Sequence, residues 1–494
     1  MKLEIVLQVP EIPAAAGDKK MLKHFLKIFS AVLLLFITSA NAQNYNDAIR
    51  LGFPGLGSNA RALGMGNAFN ALSDDASASY FNPAGFGLLK KMELSGGLSF
   101  TNYDNTTTFF GKETNDNTTN TALNRISFAV PLPTYQGSLV FGLSYHNSKD
   151  LTSVVKFDGF NSGNNSKIQF LNENTNIPYD LFLTDENYNT PINGNLNQSG
   201  NILNSGGIDN WTFSGAIEVQ KNLFVGANLT IINGSFESNN DYYEDDTRNV
   251  YQGETATGEP QTTDFRTFYL NNTLKWNIGG WDAKLGFLYQ YQDVARFGAT
   301  VQFPKTFTID EEFLVSGSSE FASTSYTLPS DYNDKVAYDI LTPFELNGAA
   351  AINLKGIIIS AEATLIDYSQ LEFKDSQDGL SANYVADVNK EIKDVLRTVL
   401  NYNFGFEYTV PTIGLRIRGG FMNQASAFKD DASEFNHKYL TGGLGFLADG
   451  NIGIDVAYAY GWWKDIGDNY GSNVSRTFQD VKVHNVMLTT TLRF

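Results

Sequence analysis

From Met92 to the C-terminus the chain repeats one pattern: segments of about ten residues or more in which apolar and polar side chains alternate with a strand's period of two. Met92, Leu94, Leu98 and Phe100 oppose Glu93, Ser95, Ser99 and Thr101. Trp211, Phe213, Ile217 and Val219 oppose Thr212, Ser214, Glu218 and Gln220, and Leu415, Ile417 and Phe421 oppose Arg416 and Arg418. The cleanest run is Ile452, Ile454, Val456, Tyr458 and Tyr460, and the chain closes on Val486, Leu488, Leu492 and Phe494 along one face. A soluble sandwich alternates in the same way. Trp and Tyr near the segment ends favour a membrane barrel instead, with the apolar set toward lipid and the polar set lining the interior.

The connections alternate in length. Tight links are expected near 131–137, 221–222, 292–294, 354–355, 410–412 and 449–450. Long polar links are expected at 104–121, 159–208, 237–263, 314–335, 374–396, 425–436 and 465–479. Short periplasmic turns facing long extracellular loops form the outer-membrane pattern. A naive count of strand-like runs gives fifteen, because Trp276 to Trp281 resembles a hairpin. An odd number would put the two barrel ends on opposite sides, so 265–290 is read as one strand with a glycine bulge at Gly279 and Gly280. The expectation is an all-β, fourteen-stranded antiparallel transmembrane barrel over 91–494, acting as a monomer.

Two stretches precede the barrel. Lys23 and Lys27, an apolar run from Ile28 to Ile37 and Ala40-Asn41-Ala42 read as a signal peptide at 21–42, with 1–20 an extension before the start at Met21. An apolar run of about ten residues is too short for a membrane anchor. Residues 43–90 are too rich in Gly, Ala, Ser and Asn to form a strand. Ser73 or Asp74 is placed to cap a short helix through Asp75 to Tyr80, and Asn82 before Pro83 reads as a second cap. Either this stretch is an exposed linker or, given its position, a plug folded inside a cavity, where glycines 55, 57, 64 and 66 permit close backbone approach.

The run Ala60-Arg61-Ala62-Leu63-Gly64-Met65-Gly66-Asn67-Ala68-Phe69, followed by Asp74-Asp75-Ala76 and Asn82-Pro83-Ala84, resembles the N-terminal hatch of the FadL/TodX family of outer-membrane transporters. The resemblance implies fourteen strands, a hatch blocking the lumen, and uptake of long-chain fatty acids or hydrophobic aromatics. It further implies a pocket where hatch meets barrel and a lateral opening beside the third strand, which begins here near Ser138. The hatch motif is then Gly64, Gly66, Asp74, Asp75, Asn82, Pro83 and Ala84.

Composition narrows the function. The 494 residues contain no cysteine, which excludes a disulfide framework and a thiolate metal site. A net charge of −18 disfavours a nucleic-acid partner. No cofactor motif, phosphate loop or Gly-x-Ser-x-Gly nucleophile occurs, so no enzyme is expected. Parity sends His146 inward and places His437 and His484 on the lipid or rim side, so the three do not converge on a metal. The acidic run Asp241 to Asp246 lacks calcium-loop spacing and reads as solvated loop charge. Arg125, Arg416 and Arg418 point inward, where they either pair with the opposite wall or meet the carboxylate of an amphipathic substrate. Phe182 and Phe321 lie in predicted long loops as candidates for a capture surface or for loop packing. The expected partners are a hydrophobic small molecule, the lipid bilayer and, through the terminal Phe494, the outer-membrane assembly machinery. The leading reading is passive uptake of hydrophobic compounds, long-chain fatty acids first, with lateral release into the membrane. The alternatives are a non-transporting scaffold or secretion accessory of the same fold and, third, a surface enzyme.

Overall fold

A computed structural model of the chain describes residues 45–329, 332–374, 379–411, 413–470 and 474–494. The expected signal peptide and the extension before it lie outside the described residues. The strands form one closed antiparallel barrel of fourteen. In chain order they are β1 (Glu93–Phe109), β2 (Lys112–Leu132), β3 (Leu139–Asp150, resuming as Ser153–Asn161), β4 (Leu196–Gln220), β5 (Leu223–Asp245) and β6 (Phe265–Tyr291). Next come β7 (Ala295–Gln302 and Thr306–Phe321), β8 (Asp334–Leu341 and Glu345–Leu354), β9 (Ile357–Asp367 and Glu372–Lys374) and β10 (Thr398–Thr409). The last four are β11 (Leu415–Gln424), β12 (His437–Ala448), β13 (Ile452–Asp468) and β14 (Arg476–Arg493). β14 closes the ring on β1, from Glu93 opposite Arg493 to Thr108 opposite Phe478.

The outward face is apolar. Ile126, Tyr145, Trp211, Ile231 and Trp281 stand opposite one another across β2 to β6, an aromatic-rich row running from strand to strand. Further along β6, Tyr289 and Tyr291 are also exposed. From Trp281 to Tyr291 is about ten residues, or ~34 Å of strand, which at the usual tilt gives roughly 26 Å of height, the thickness of an outer-membrane apolar band. An exposed apolar belt around a closed barrel is the lipid-facing surface of an outer-membrane protein; among the described residues no helix is long and apolar enough to span a membrane.

Several sequence expectations change. The link expected at 104–121 is strand almost throughout: β1 and β2 meet at a tight turn, Phe110-Gly111, with both φ angles positive. Thr, Asn and Asp fill both faces of most of this stretch, so the backbone pairs without the apolar alternation that marks a strand in sequence. For the same reason β3 and β4 shorten the 159–208 link to 162–195, and β7 carries the supposed loop residue Phe321. Gly279 and Gly280 form no bulge, because β6 runs through both in unbroken register with β5 and β7. A Cβ at Gly280 would stand 2.3 Å from the Thr306 carbonyl oxygen, so the glycine serves close strand approach. The acidic run lies mostly in β5, and Glu244 is buried, accepting from Lys167 N at 2.6 Å and Gln198 Nε2 at 2.7 Å. It thereby caps α3 (Lys167–Asn174).

Residues before β1 form α1 (Tyr45–Gly52), α2 (Ala60–Gly64) and two 3-10 turns, Ala76–Ser79 and Pro83–Leu88. After α3 come α4 (Ile177–Asp180) and, before β10, α5 (Ala382–Val395). α1 and α5 are amphipathic, and their apolar faces join one cluster: Ala48 and Leu51 of α1 and Val388 and Ile392 of α5 pack with Trp276 and Tyr338 of the wall.

Candidate functional site

The N-terminal segment is buried from Gly57 to Ser73 and its bonds reach strands around the ring. Ala60 N donates to Thr489 Oγ1 on β14 at 3.0 Å, and Gly66 N to Thr441 Oγ1 on β12 at 3.0 Å. Phe69 N and Asn70 N both donate to Glu362 on β9 at 3.1 Å, and Ala76 N donates to Glu93 on β1 at 2.6 Å. Asn82 accepts from Ala84 N at 3.1 Å, capping the turn that Pro83 opens, while its amide nitrogen donates to the Phe287 carbonyl on β6 at 3.0 Å. The other cap is Asp75, which accepts from Ser77 N at 2.8 Å, and neither Ser73 nor Asp74 takes that place. Asp74 instead pairs with Arg61 at 2.5 Å and with Arg296 of β7 at 2.9 Å. Burial alone would raise its pKa, but the two guanidinium groups hold the carboxyl far below its usual range.

Glycines on the wall make the room. A Cβ at Gly420 of β11 would stand 2.2 Å from Gly66 N, and one at Gly286 of β6 would stand 2.1 Å from Asn82 Oδ1. Gly66 itself has φ +60°, and Gly64 lies against Gly443 of β12, where an added Cβ would be 3.2 Å from the facing Cα.

Two candidate arginines belong to this seat. Arg418 is buried and bridges Glu407 at 2.7 Å and Asp455 at 2.7 Å, while Glu407 also takes Arg61 at 3.0 Å. Arg416 stands beside the same charges. Arg125 is buried through a bulge that turns both Asn124 and Arg125 inward, and its Nε donates to Ser127 at 2.7 Å. The structure does not bring the three together at one cavity. Phe321 is buried among Phe265, Leu181 and Leu183 in a core shared by the 162–195 loop and the ends of β6 and β7, and Phe182 stacks on Tyr326 at 4.2 Å. Both rings therefore pack the 162–195 loop onto β7 and the segment that follows it.

The wall opens at β3. The strand breaks at Leu151 and Thr152, and it pairs with β2 only from Leu139 opposite Leu132 to His146 opposite Arg125. Beyond that point β2 continues from Asn124 back to Lys112 with its backbone laddered to β1 alone, while the second half of β3 stays on β4 and reaches β2 through the ion pair of Asp158 with Lys112 at the far end. That half leans inward: Asn105 of β1 donates to the Val154 carbonyl at 2.8 Å, and Phe157 meets Phe109 with ring centres 4.9 Å apart. A cavity of about 560 Å³ lies in the gap, bordered by Thr118, Thr119, Asn147, Thr152, Asn204 and Gly206.

Inside the wall is a cavity of about 440 Å³ that shares Asn147, Thr152 and Asn204 with the gap. Its lining includes Phe53, Tyr103, Phe428, His437, Tyr439 and Trp463. His437 stacks on Trp463 at 3.8 Å and meets Phe53 at 4.7 Å. His437 and Tyr439 thus point inward, against the sequence expectation. The outward set on β12 is Leu440, Leu444 and Phe446, so aromatic character misled at a height where the interior is itself aromatic. His484 does lie on the outer rim, bonded to Tyr458 at 2.7 Å, and His146 points inward. The sequence held one signal for this cavity: neighbours on a strand face opposite ways, so one of Trp462 and Trp463 had to enter the barrel.

No protein-family model matches the sequence, and no curated protein does. Solved structures match. The P. putida toluene transporter TodX superposes over 90% of this chain and 99% of its own, at 14% identity and a TM-score of 0.54. A Pseudomonas aeruginosa FadL homologue superposes over 90% and 100%, at 13% identity and a TM-score of 0.55. The chain has the FadL/TodX fold. Within this FadL/TodX-type barrel, the aromatic cavity and the β3 break are the concave, mostly pre-formed features that a ligand would use.

Proposed function

We propose that this protein is a FadL/TodX-family channel of the Gram-negative outer membrane that takes up hydrophobic compounds without enzymatic chemistry. In this reading residues 43–90 are a hatch that closes the barrel to water, and the solute leaves sideways into lipid through the β3 break. The observation that carries it is the shared border of the aromatic cavity and the gap at Asn147, Thr152 and Asn204. An apolar solute crossing a water-filled lumen would lose about 25 cal/mol per Å² of apolar surface returned to water, so a path from an aromatic cavity directly to lipid is favoured.

Long-chain fatty acids and monoaromatic hydrocarbons are the two classes to try. Arg418 is already engaged by Glu407 and Asp455, and neither it nor Arg416 lines the aromatic cavity, so a carboxylate head there would look to Arg50, Lys149 or Lys464, the cations that border it. Cells carrying the protein should accumulate labelled oleate or toluene faster than cells without it. Thr152→Trp, which fills the gap, should lower that uptake several-fold with the folded barrel present at normal level. Equal uptake by wild type and Thr152→Trp would end the lateral-release reading, and equal uptake with and without the protein would end the transport reading.

A further inference from the structure

A second chamber, of about 190 Å³, lies beside the aromatic cavity and has the opposite chemistry. Phe53, Gly55 and Lys149 border both, and the second chamber extends from there along the inner faces of β4 to β10, over a floor that includes Asn67 and Tyr80. Its lining is dominated by Asn, Thr, Gln and charged side chains.

The charged groups there are already engaged. Lys305 donates to Glu345 at 2.8 Å, and Lys284 to the Tyr80 carbonyl at 2.6 Å, with Asp282 close to both lysines. Glu362 accepts from Phe69 N, Asn70 N and Asn403 Nδ2. The amides are engaged at one end only. Asn67 gives its nitrogen to the Leu56 carbonyl at 2.9 Å and Asn228 gives its own to the Ser79 carbonyl at 2.5 Å. A carbonyl can only accept, so these bonds fix the amide orientation and leave the side-chain oxygen free. Asn347 donates to Thr364 at 2.7 Å, and Asn210 shares one bond with His146 at 3.3 Å. In all four, Oδ1 is buried with no hydrogen-bond partner from the protein, as is His146 Nδ1. Asn67, Asn210 and Asn228 are themselves at least nine-tenths buried.

We propose that this chamber binds a small uncharged molecule carrying several O–H or N–H donors, the polyol class, at a site separate from the aromatic cavity. An apolar solute would leave the free oxygens unpaired, which a buried acceptor does not tolerate. An anion would face the same oxygens together with Glu345 and Glu362, and a cation would face Lys284 and Lys305. A neutral donor-rich molecule satisfies the four oxygens and meets neither repulsion.

The test is saturation-transfer NMR on the detergent-solubilised full chain, with erythritol as the probe. Wild type should transfer magnetisation to erythritol, and Asn228→Leu and Asn347→Leu should each reduce the signal several-fold. Asn228→Leu also removes the bond to Ser79, so Asn347→Leu, at a half-buried position, keeps the test open if the first variant folds poorly. Toluene, directed at the aromatic cavity, should leave the erythritol signal in place. No transfer to erythritol in folded wild type, equal transfer in Asn347→Leu, or displacement by toluene would each overturn the proposal. Erythritol binding in a protein that fails to raise toluene or oleate uptake would uphold this site while removing the transport reading.

Discussion

At the seat of the N-terminal segment, β6 and β11 withdraw their side chains as glycines, while β1, β9, β10, β12 and β14 reach in with carboxylates or hydroxyls. At the β3 break, a few strands away, the wall gives up even its backbone ladder, and β2 stands unpaired on one edge over residues 112–124. A barrel ordinarily removes all its edges. The contrast separates two tasks: the first region holds a folded segment against the pull of bulk water, and the second leaves a gap that polar loops and an inward-leaning half strand only partly cover. Lys149 joins them, because it lies two residues before the break and donates to the carbonyls of Arg50 and Phe53, the latter at 2.6 Å, at the end of α1.

The largest expected effect comes from breaking the seat. Glu407 is buried between Arg61 and Arg418, and removing one partner of a buried ion pair typically costs ~3–5 kcal/mol because the other charge stays buried and uncompensated. Glu407→Gln should expose the N-terminal segment to protease and lower the urea midpoint for its release, with the β3 gap unaffected. A protease pattern and midpoint equal to wild type would show that the glycine fit alone holds the segment.

How much of this was legible in the sequence follows from the forces involved. Lipid imposes a strict alternation, so the outward faces of β1, β4, β13 and β14 could be read from Leu94, Trp211, Ile454 and Leu488. Where polar residues fill both faces the alternation vanishes, which is why the Thr and Asn ladder of β1 and β2 read as loop. The cap at Asn82 was legible because Asn-Pro is a local signal. The break at Leu151 and Thr152 was not, since neither residue is a backbone breaker. The contacts that flank it come from distant residues, the backbone of Gly55 close to Ser148 and Asn105 on the Val154 carbonyl, which spacing along the chain does not encode. The four free amide oxygens of the polar chamber likewise depend on which partner takes each nitrogen, which spacing along the chain does not encode.

A smaller effect is expected where the two regions are joined. Lys149→Met removes two charge-assisted bonds to the end of α1, each with a net worth of roughly 1.5–3 kcal/mol, and it should free α1 while leaving α2 and the Asn82 turn seated. Hydrogen exchange resolved along the chain is the measurement. Faster exchange confined to residues 45–53 would confirm that α1 is held separately, whereas unchanged exchange there would show that its apolar packing with α5 suffices.

The smallest effect should come from Asn82→Ala, and it sharpens the comparison most finely because Asn82 does two things at once. Its oxygen caps the turn at Ala84 N, an interaction typically worth ~1 kcal/mol, while its nitrogen binds the Phe287 carbonyl on β6. The bond to Phe287 lies in the seat, and no strand of the β3 break takes part in it. The substitution should therefore raise the frequency of brief openings in planar-bilayer recordings without changing the heat stability of the barrel, which rests on the strand ladder. Accumulation of labelled toluene or oleate, on the lateral-release proposal, should stay at the wild-type rate. Recordings that matched wild type would show the cap to be redundant with the fit of Pro83 against Gly226 and Gly286, where an added Cβ would stand 2.4 Å from the Pro83 carbonyl carbon and 2.9 Å from its ring. A fall in uptake with unchanged recordings would instead tie Asn82 to the gap and erase the separation between the two regions.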